Sequence, residues 1–246
     1  VVQTGSIFHG RHALSEFILR FYRDRLQLND ATDHARELSQ LLADDTTVVF
    51  EMAHDGQLPH LGIARLVVKT WQLAQLVPRG AALYLVGDHY SADMRPENLY
   101  LGFPLLGLDT DHVKTPLTIQ VGRRHRHIPF KWLPPPRAGT LDEEERLSWD
   151  RIVNNLAFHK ELVRKDLDRD QLRARLSWCF NLLRESARRT KTFSDWLIRV
   201  QVLVFREMYG GYPPGLAVVP MSEAVEWVPD AFADLVSWQE PLAKVK

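Results

Sequence analysis

The chain has 246 residues, 45% of them hydrophobic and 25% charged, which is enough apolar material for a sizeable core and argues against disorder. Lys+Arg and Asp+Glu each total 31, so no net charge draws the chain to a polyanion, and a nucleic-acid partner is not expected. Cys179 is the single cysteine, which excludes an intramolecular disulfide. With no apolar run near the roughly 20 residues of a membrane span and no basic-then-apolar leader, it sets the expectation of a cytoplasmic protein outside the membrane.

Leu14, Phe17, Ile18, Phe21, Tyr22 and Leu26 recur at three- and four-residue steps, which predicts a first helix from His12 to Gln27. A second is predicted from Asp30 to Ala43. The β-branched and aromatic run Thr46-Thr47-Val48-Val49-Phe50 reads as a buried strand, closed by the turn Ala53-His54-Asp55-Gly56. Helical spacing returns from Leu61 to Val77, and Ala82-Leu83-Tyr84-Leu85-Val86 forms a second apolar run. Strand, helix, strand is a βαβ unit, which implies parallel pairing and a ligand site beyond the carboxyl ends of the strands.

Pro104 to Pro116 reads as an irregular connection. Leu117 to Val121 and His127 to Trp132 read as two extended segments forming a hairpin, stopped by Pro134-Pro135-Pro136. From Leu141 to Tyr209 the pattern is almost wholly helical, with Thr140 and Glu143 spaced as a capping box and Thr192 opening the last helix of that stretch. Gly210-Gly211 ends it, Leu216 to Val219 supply a late strand, and a final helix starts at Ser222 toward Val236. The expected architecture is one α/β domain over residues 1–246, a Rossmann-like parallel sheet core flanked by helices, with a mainly helical segment at 141–209.

Chemistry concentrates after the two early strands. His54-Asp55-Gly56-Gln57-Leu58-Pro59-His60-Leu61-Gly62 is a polar, glycine-punctuated entry to a helix, where backbone can approach a ligand and free amides face an anion. Its bland alternative is a strand-to-helix loop with a capping role. Gly87-Asp88-His89-Tyr90 follows the second strand and is expected beside the first turn. Asp88 can accept a proton or orient His89, the side chain suited to proton transfer near neutral pH; in isolation such a pair is also ordinary turn chemistry. His54, His60, Asp88 and His89 together form an alternative divalent-metal set, although their spacing matches no metal motif. His60 also occupies the first place of a His-x-Gly-His phosphate signature, but Ile63 stands where the second histidine belongs, and no Gly-x-x-x-x-Gly-Lys loop is present. Arg123-Arg124-His125-Arg126-His127 reads as a solvated basic hairpin, with anion contact as the alternative. Cys179, among Leu176, Phe180 and Leu183, reads as a buried structural residue, and Trp178 and Trp196 as core.

Asp55-Gly56-Gln57-Leu58-Pro59, the helix containing Lys69, and Leu85-Val86-Gly87-Asp88-His89-Tyr90 together resemble the core of the bacillithiol-forming cysteine ligase family. Its members carry a Gly-Gln-Gln turn, a lysine-bearing helix and an apolar strand ending in Glu-Asp-His-Asp. Leu182 to Ser186, Thr190 to Phe205 and Tyr209 to Pro220 are similar to that family's later helices and glycine-led strand, so the resemblance spans about Val48 to Glu223. Leu58 stands at the second glutamine, Gly87 at the first acidic residue and Tyr90 at the second aspartate, and no coiled-coil extension is expected in this shortened form. These departures put the family's own substrate in doubt.

The resemblance implies a nucleotide-binding-like α/β core and a biosynthetic enzyme joining carbon to nitrogen on an amino acid or amino sugar. Asp88 and His89 would then manage protons, and Gln57, His60, Lys69 and Asp55 would hold the substrate. A nucleotide is a further candidate ligand; no motif identifies a cofactor or an energy source. Two other classes stay open: a metal-dependent hydrolase or lyase, and a non-catalytic binding subunit that works with a partner protein or a second copy.

Overall fold

The computed structural model describes residues 4–55, 61–88, 99–100, 116–117, 128–158 and 169–227. Helix α1 (Thr4–Arg20) runs into a π-helical turn at Phe21–Arg25, so the predicted first helix begins earlier and ends in a wider coil. Leu14, Ile18, Phe21, Tyr22 and Leu26 are all buried, as their spacing requires. The extra residue per turn in a π segment rotates the following side chains, and here both Phe21 and Tyr22 enter the core while Arg23 and Asp24 face outward. A short 3-10 turn at Asn29–Ala31 leads into α2 (Thr32–Ala43), which packs on α1 through Ala35, Leu38 and Leu42.

Strand β1 (Val48–Asp55), helix α3 (Leu61–Gln75) and strand β2 (Gly80–Gly87) form the predicted βαβ unit. The strands are parallel, with Val48 opposite Gly80 and Asp55 opposite Gly87. Gly80 is demanded by the tight return from α3: a Cβ there would lie 1.9 Å from the carbonyl oxygen of Ala74. The near-continuous apolar content of β2 reflects cover on both faces, and it lies in the middle of the sheet order β1-β2-β5, where β5 is Leu216–Pro220. Pairing of β2 with β5 is also parallel, Ala82 opposite Leu216 and Val86 opposite Pro220. Tyr22, a residue of the π turn, accepts a hydrogen bond at its phenol oxygen from the Val218 N–H at 3.0 Å, so a strand amide that no neighbouring strand takes is satisfied by a side chain.

Two short segments, β3 (Leu99–Tyr100) and β4 (Pro116–Leu117), pair antiparallel. Of the predicted hairpin, the extended second arm is corrected. Leu117 pairs with Leu99, residues 118–127 lie outside the described set, and the supposed second arm contains a 3-10 turn at Phe130–Trp132. Prolines 129 and 134 bracket that turn, and Phe130 packs on Phe193 at 4.9 Å between ring centroids, a contact an extended strand would not place there.

The helical half comprises α4 (Ala138–Phe158), α5 (Arg169–Arg189) and α6 (Phe193–Tyr209). Helix α4 starts two residues before Thr140, directly after the proline run, so Thr140 lies inside the helix and the predicted capping box is not its start. Thr192 does cap α6, its hydroxyl accepting from the Asp195 N–H at 3.1 Å. Every residue from Phe193 to Phe205 is buried, the signature of a helix enclosed on all sides. Gly210, at φ +80, ends it, with the Gly211 N–H donating back to Arg206. Cys179 and Trp196 are core residues as expected, but Trp178 is 38% exposed. It neighbours Cys179 on α5, and adjacent helical positions face about 100° apart. Helix α7 (Met221–Trp227) leaves β5 without a loop, starting one residue before the predicted Ser222; the remainder of the predicted final helix lies outside the described residues. The result is a Rossmann-like α/β fold with a helical second half. Among the described residues no helix is long and apolar enough to cross a membrane.

Candidate functional site

The strand register brings three chain ends to one edge of the sheet. Asp55 ends β1, Gly87 lies opposite it at the end of β2, and Pro220 ends β5 beside Val86. Asp88 is the next residue after β2, and its side chain is buried at 1% exposure. It accepts hydrogen bonds from the Ser222 backbone N–H (2.8 Å), the Ser222 hydroxyl (2.7 Å) and the Ser194 hydroxyl (3.2 Å). Ser194 is in the first turn of α6 and Ser222 in the first turn of α7. A negative group at those positions is met by the free amides and positive dipole ends of the helices.

Beside Asp88 lies a second set of charges. Asp195, 4% exposed, takes the Arg25 guanidinium from two sides, at 2.7 Å to one carboxylate oxygen and 3.4 Å to the other. The other terminal nitrogen of Arg25 donates to Glu223 in α7. Arg25 thereby joins the π turn, α6 and α7 at one point. Burial raises the proton affinity of Glu223 above the usual glutamate range. The Arg25 contact opposes that shift, and the neighbouring charges of Asp195 and Asp88 reinforce it. With a quarter of its side chain exposed, Glu223 is the carboxylate of this cluster that combines access with easier protonation. That combination suits proton transfer to or from a bound molecule.

The structure brings Asp88 and the backbone end of Asp55 to the same edge. His54 is half-buried on β1, opposite Val86. Lys69 is not brought there: it lies on the exposed side of α3, eight residues beyond the helix start, or about 12 Å along the axis. Gln57, His60 and His89 lie outside the described residues, as do residues 123–127 of the basic cluster. Among the described residues, no group of three histidine, cysteine, aspartate or glutamate side chains could hold a metal ion. The thiol of Cys179 is buried, which pushes it up to about 12, far from the range of a thiolate nucleophile.

Sequence reading missed Arg25, Ser194, Asp195, Ser222 and Glu223. Ser222 and Glu223 carried a usable signal: they follow a parallel strand as directly as Asp88 follows β2. Arg25 carried none, because its partners lie 170 and 198 residues away. A cavity of about 230 Å³ between α4 and α5, lined by Glu145, Trp149, Arg173 and Ser177 among others, is separate from this edge. Comparison of the chain with protein-family models, curated proteins and solved structures gave no match.

Proposed function

We propose that this protein is a cytoplasmic ligase-like biosynthetic enzyme that forms a carbon–nitrogen bond to an amino acid or amino sugar at the carboxyl edge of β1, β2 and β5. One observation carries the reading: the edge where a parallel sheet binds its ligands gathers a buried, hydrogen-bonded carboxylate, Asp88, and a partly exposed carboxylate of raised proton affinity, Glu223. The likeness of the two strand-end turns to the bacillithiol-forming cysteine ligases supports the same chemistry.

Formation of a carbon–nitrogen bond needs a deprotonated amine nitrogen to attack a carbon that bears a leaving group. The nitrogen loses its proton as the new bond forms, and the leaving group departs with the bonding pair. Glu223 and His89 are the assigned proton acceptors, and Asp88 positions the strand end that leads to His89. Gln57, His60 and Asp55 are the proposed substrate-binding residues. Lys69, exposed on α3 about 12 Å along the axis from the helix start, would reach a substrate only at its far end.

A ligand screen by thermal shift tests this, since a molecule that binds only the folded state raises the melting temperature. Amino acids, amino sugars and nucleotides are screened against the full chain, then against His89→Ala and Glu223→Gln. Stabilisation by an amine-bearing compound that both substitutions abolish supports the proposal. Binding of such a compound that neither substitution alters sinks it.

The hydrogen bonds of Asp88 favour a second reading. All three go to internal groups, as in a structural clasp, and this suits a non-catalytic subunit built on an enzyme-like core. Turnover by the isolated chain would exclude that reading.

A further inference from the structure

Helices α4 and α5 run antiparallel, and three contacts order the side chains between them. Arg173 lies over the Trp149 ring, 5.5 Å from its centroid. Further along α5, Ser177 donates to Glu145 at 2.6 Å, and beyond it Arg184 reaches Asp142, earlier still on α4. The cavity of about 230 Å³ is lined by one face of each helix, since Asp142, Glu145 and Trp149 recur at three- and four-residue steps on α4. It is smaller than the roughly 300–1,000 Å³ of pockets for drug-sized molecules, so its occupant is small.

The charges along this cavity do not cancel locally. Asp142 and Glu145 share one guanidinium, that of Arg184, at 2.9 and 2.8 Å, which leaves that end with one negative charge in excess. At the other end the partner of Arg173 among the described residues is an aromatic face and not a carboxylate, which leaves one positive charge in excess. Arg146, on the exposed rim, is balanced by Asp150 at 3.3 Å. Partly buried Trp149 and fully buried Leu176 give the cavity an apolar wall. Glu145 and Trp149 lie one turn apart, about 6 Å along the helix axis, so a short carbon chain spans the distance between the two unbalanced ends.

We infer that this cavity binds a small zwitterion, an ammonium and a carboxylate joined by a short carbon chain. The ammonium donates to Glu145 and Asp142, the carboxylate accepts from the Arg173 guanidinium in a charge-assisted pair, and the chain lies on Trp149 and Leu176. An anion alone would meet the two carboxylates unpaired, and a cation alone the Arg173 charge, so a molecule carrying both charges is the one that matches both ends. The site is separate from the sheet edge and does not depend on the reaction proposed there.

Hydrogen exchange of the full chain, read by mass spectrometry with and without millimolar γ-aminobutyrate, tests this, because a ligand of the folded state suppresses local opening. Exchange in peptides covering residues 141–150 and 171–184 is expected to slow several-fold. Butyrate and butylamine, each with one of the two charges, are expected to leave those peptides unchanged at the same concentration and ionic strength. Arg173→Gln and Asp142→Asn alter exposed side chains, and each is expected to abolish the effect while keeping the wild-type circular dichroism. An absence of added protection in α4 and α5 overturns the inference, even where peptides at the sheet edge are protected. Equal protection by butyrate, or protection that survives both substitutions, overturns it as well.

Discussion

Asp88, the residue after β2, accepts both the backbone N–H and the hydroxyl of Ser222, at 2.8 and 2.7 Å. Helix α7 emerges from β5, yet this contact fastens its first turn to the middle strand of the sheet. With Ser194 on the same carboxylate, one side chain joins the end of β2 to the starts of α6 and α7.

Removal of that carboxylate leaves the part-buried amide and hydroxyl of Ser222 and the buried hydroxyl of Ser194 without their acceptor. Asp88→Ala is expected to lower stability by about 2–3 kcal/mol, read from urea unfolding. Asp88→Asn retains an acceptor of the same shape and is expected to lose less. An alanine variant as stable as wild type would show that water or repacking replaces the clasp.

Gly80 separates two kinds of glycine. A methyl group there meets the Ala74 carbonyl oxygen, whereas one at Gly139, in the first turn of α4, has nothing within 4 Å. Gly80→Ala is expected to cost about 2–3 kcal/mol through overpacking against backbone. Gly139→Ala is expected to gain up to about 1 kcal/mol from helix propensity. Denaturant midpoints of the two variants should move in opposite directions; a shared direction would contradict the tight α3–β2 return.

The sheet was legible because its information is local. Thr46 to Phe50 and Ala82 to Val86 are short apolar runs flanked by turn residues, and the helical spacing between them leaves a parallel crossover as the natural connection. The late strand was legible for the same reason, and the position of Asp88 at a strand end followed from parallel pairing. The place of Ser222 at the end of the late strand was legible in the same way, but its pairing with Asp88, and that of Ser194, was not. Ser194 is 106 residues away and Ser222 is 134, and nothing in either neighbourhood announces a buried carboxylate. Where local patterns misled, packing was the cause. Phe130 turned into a 3-10 segment to meet Phe193, and Trp178 fell on the outer side of a helix whose next residue, Cys179, is buried.

His34 gives the fold a pH dependence that its sequence context does not announce. It is buried, stacked on Tyr212 with ring centroids 5.2 Å apart, and bonded to the backbone at Leu216. Burial lowers it from 6.5 to about 4. The unfolded chain therefore binds the proton first as pH falls, and the contribution of neutral His34 is intact above about pH 6.5 and lost progressively toward pH 4. The loss amounts to up to about 3 kcal/mol. His34→Gln, which keeps a donor for Leu216, is expected to flatten this part of the stability curve. Parallel curves for the two proteins over that interval would rule His34 out as the source.

Cys179 provides a reporter for the helical half of the chain. It is 1% exposed between Leu176 and Leu183 on the inner face of α5, and burial pushes its thiol up to about 12. Both low access and a small thiolate fraction slow attack on a disulfide reagent. In native buffer the thiol is expected to stay unreactive for as long as α5 remains packed on α6, and in denaturant to react at the rate of a free cysteine. Labelling over a urea series should therefore track the same transition as circular dichroism. Rapid labelling in native buffer would mean that α5 opens without global unfolding, and labelling ahead of the helical transition would make the second half of the chain a separate unit of stability.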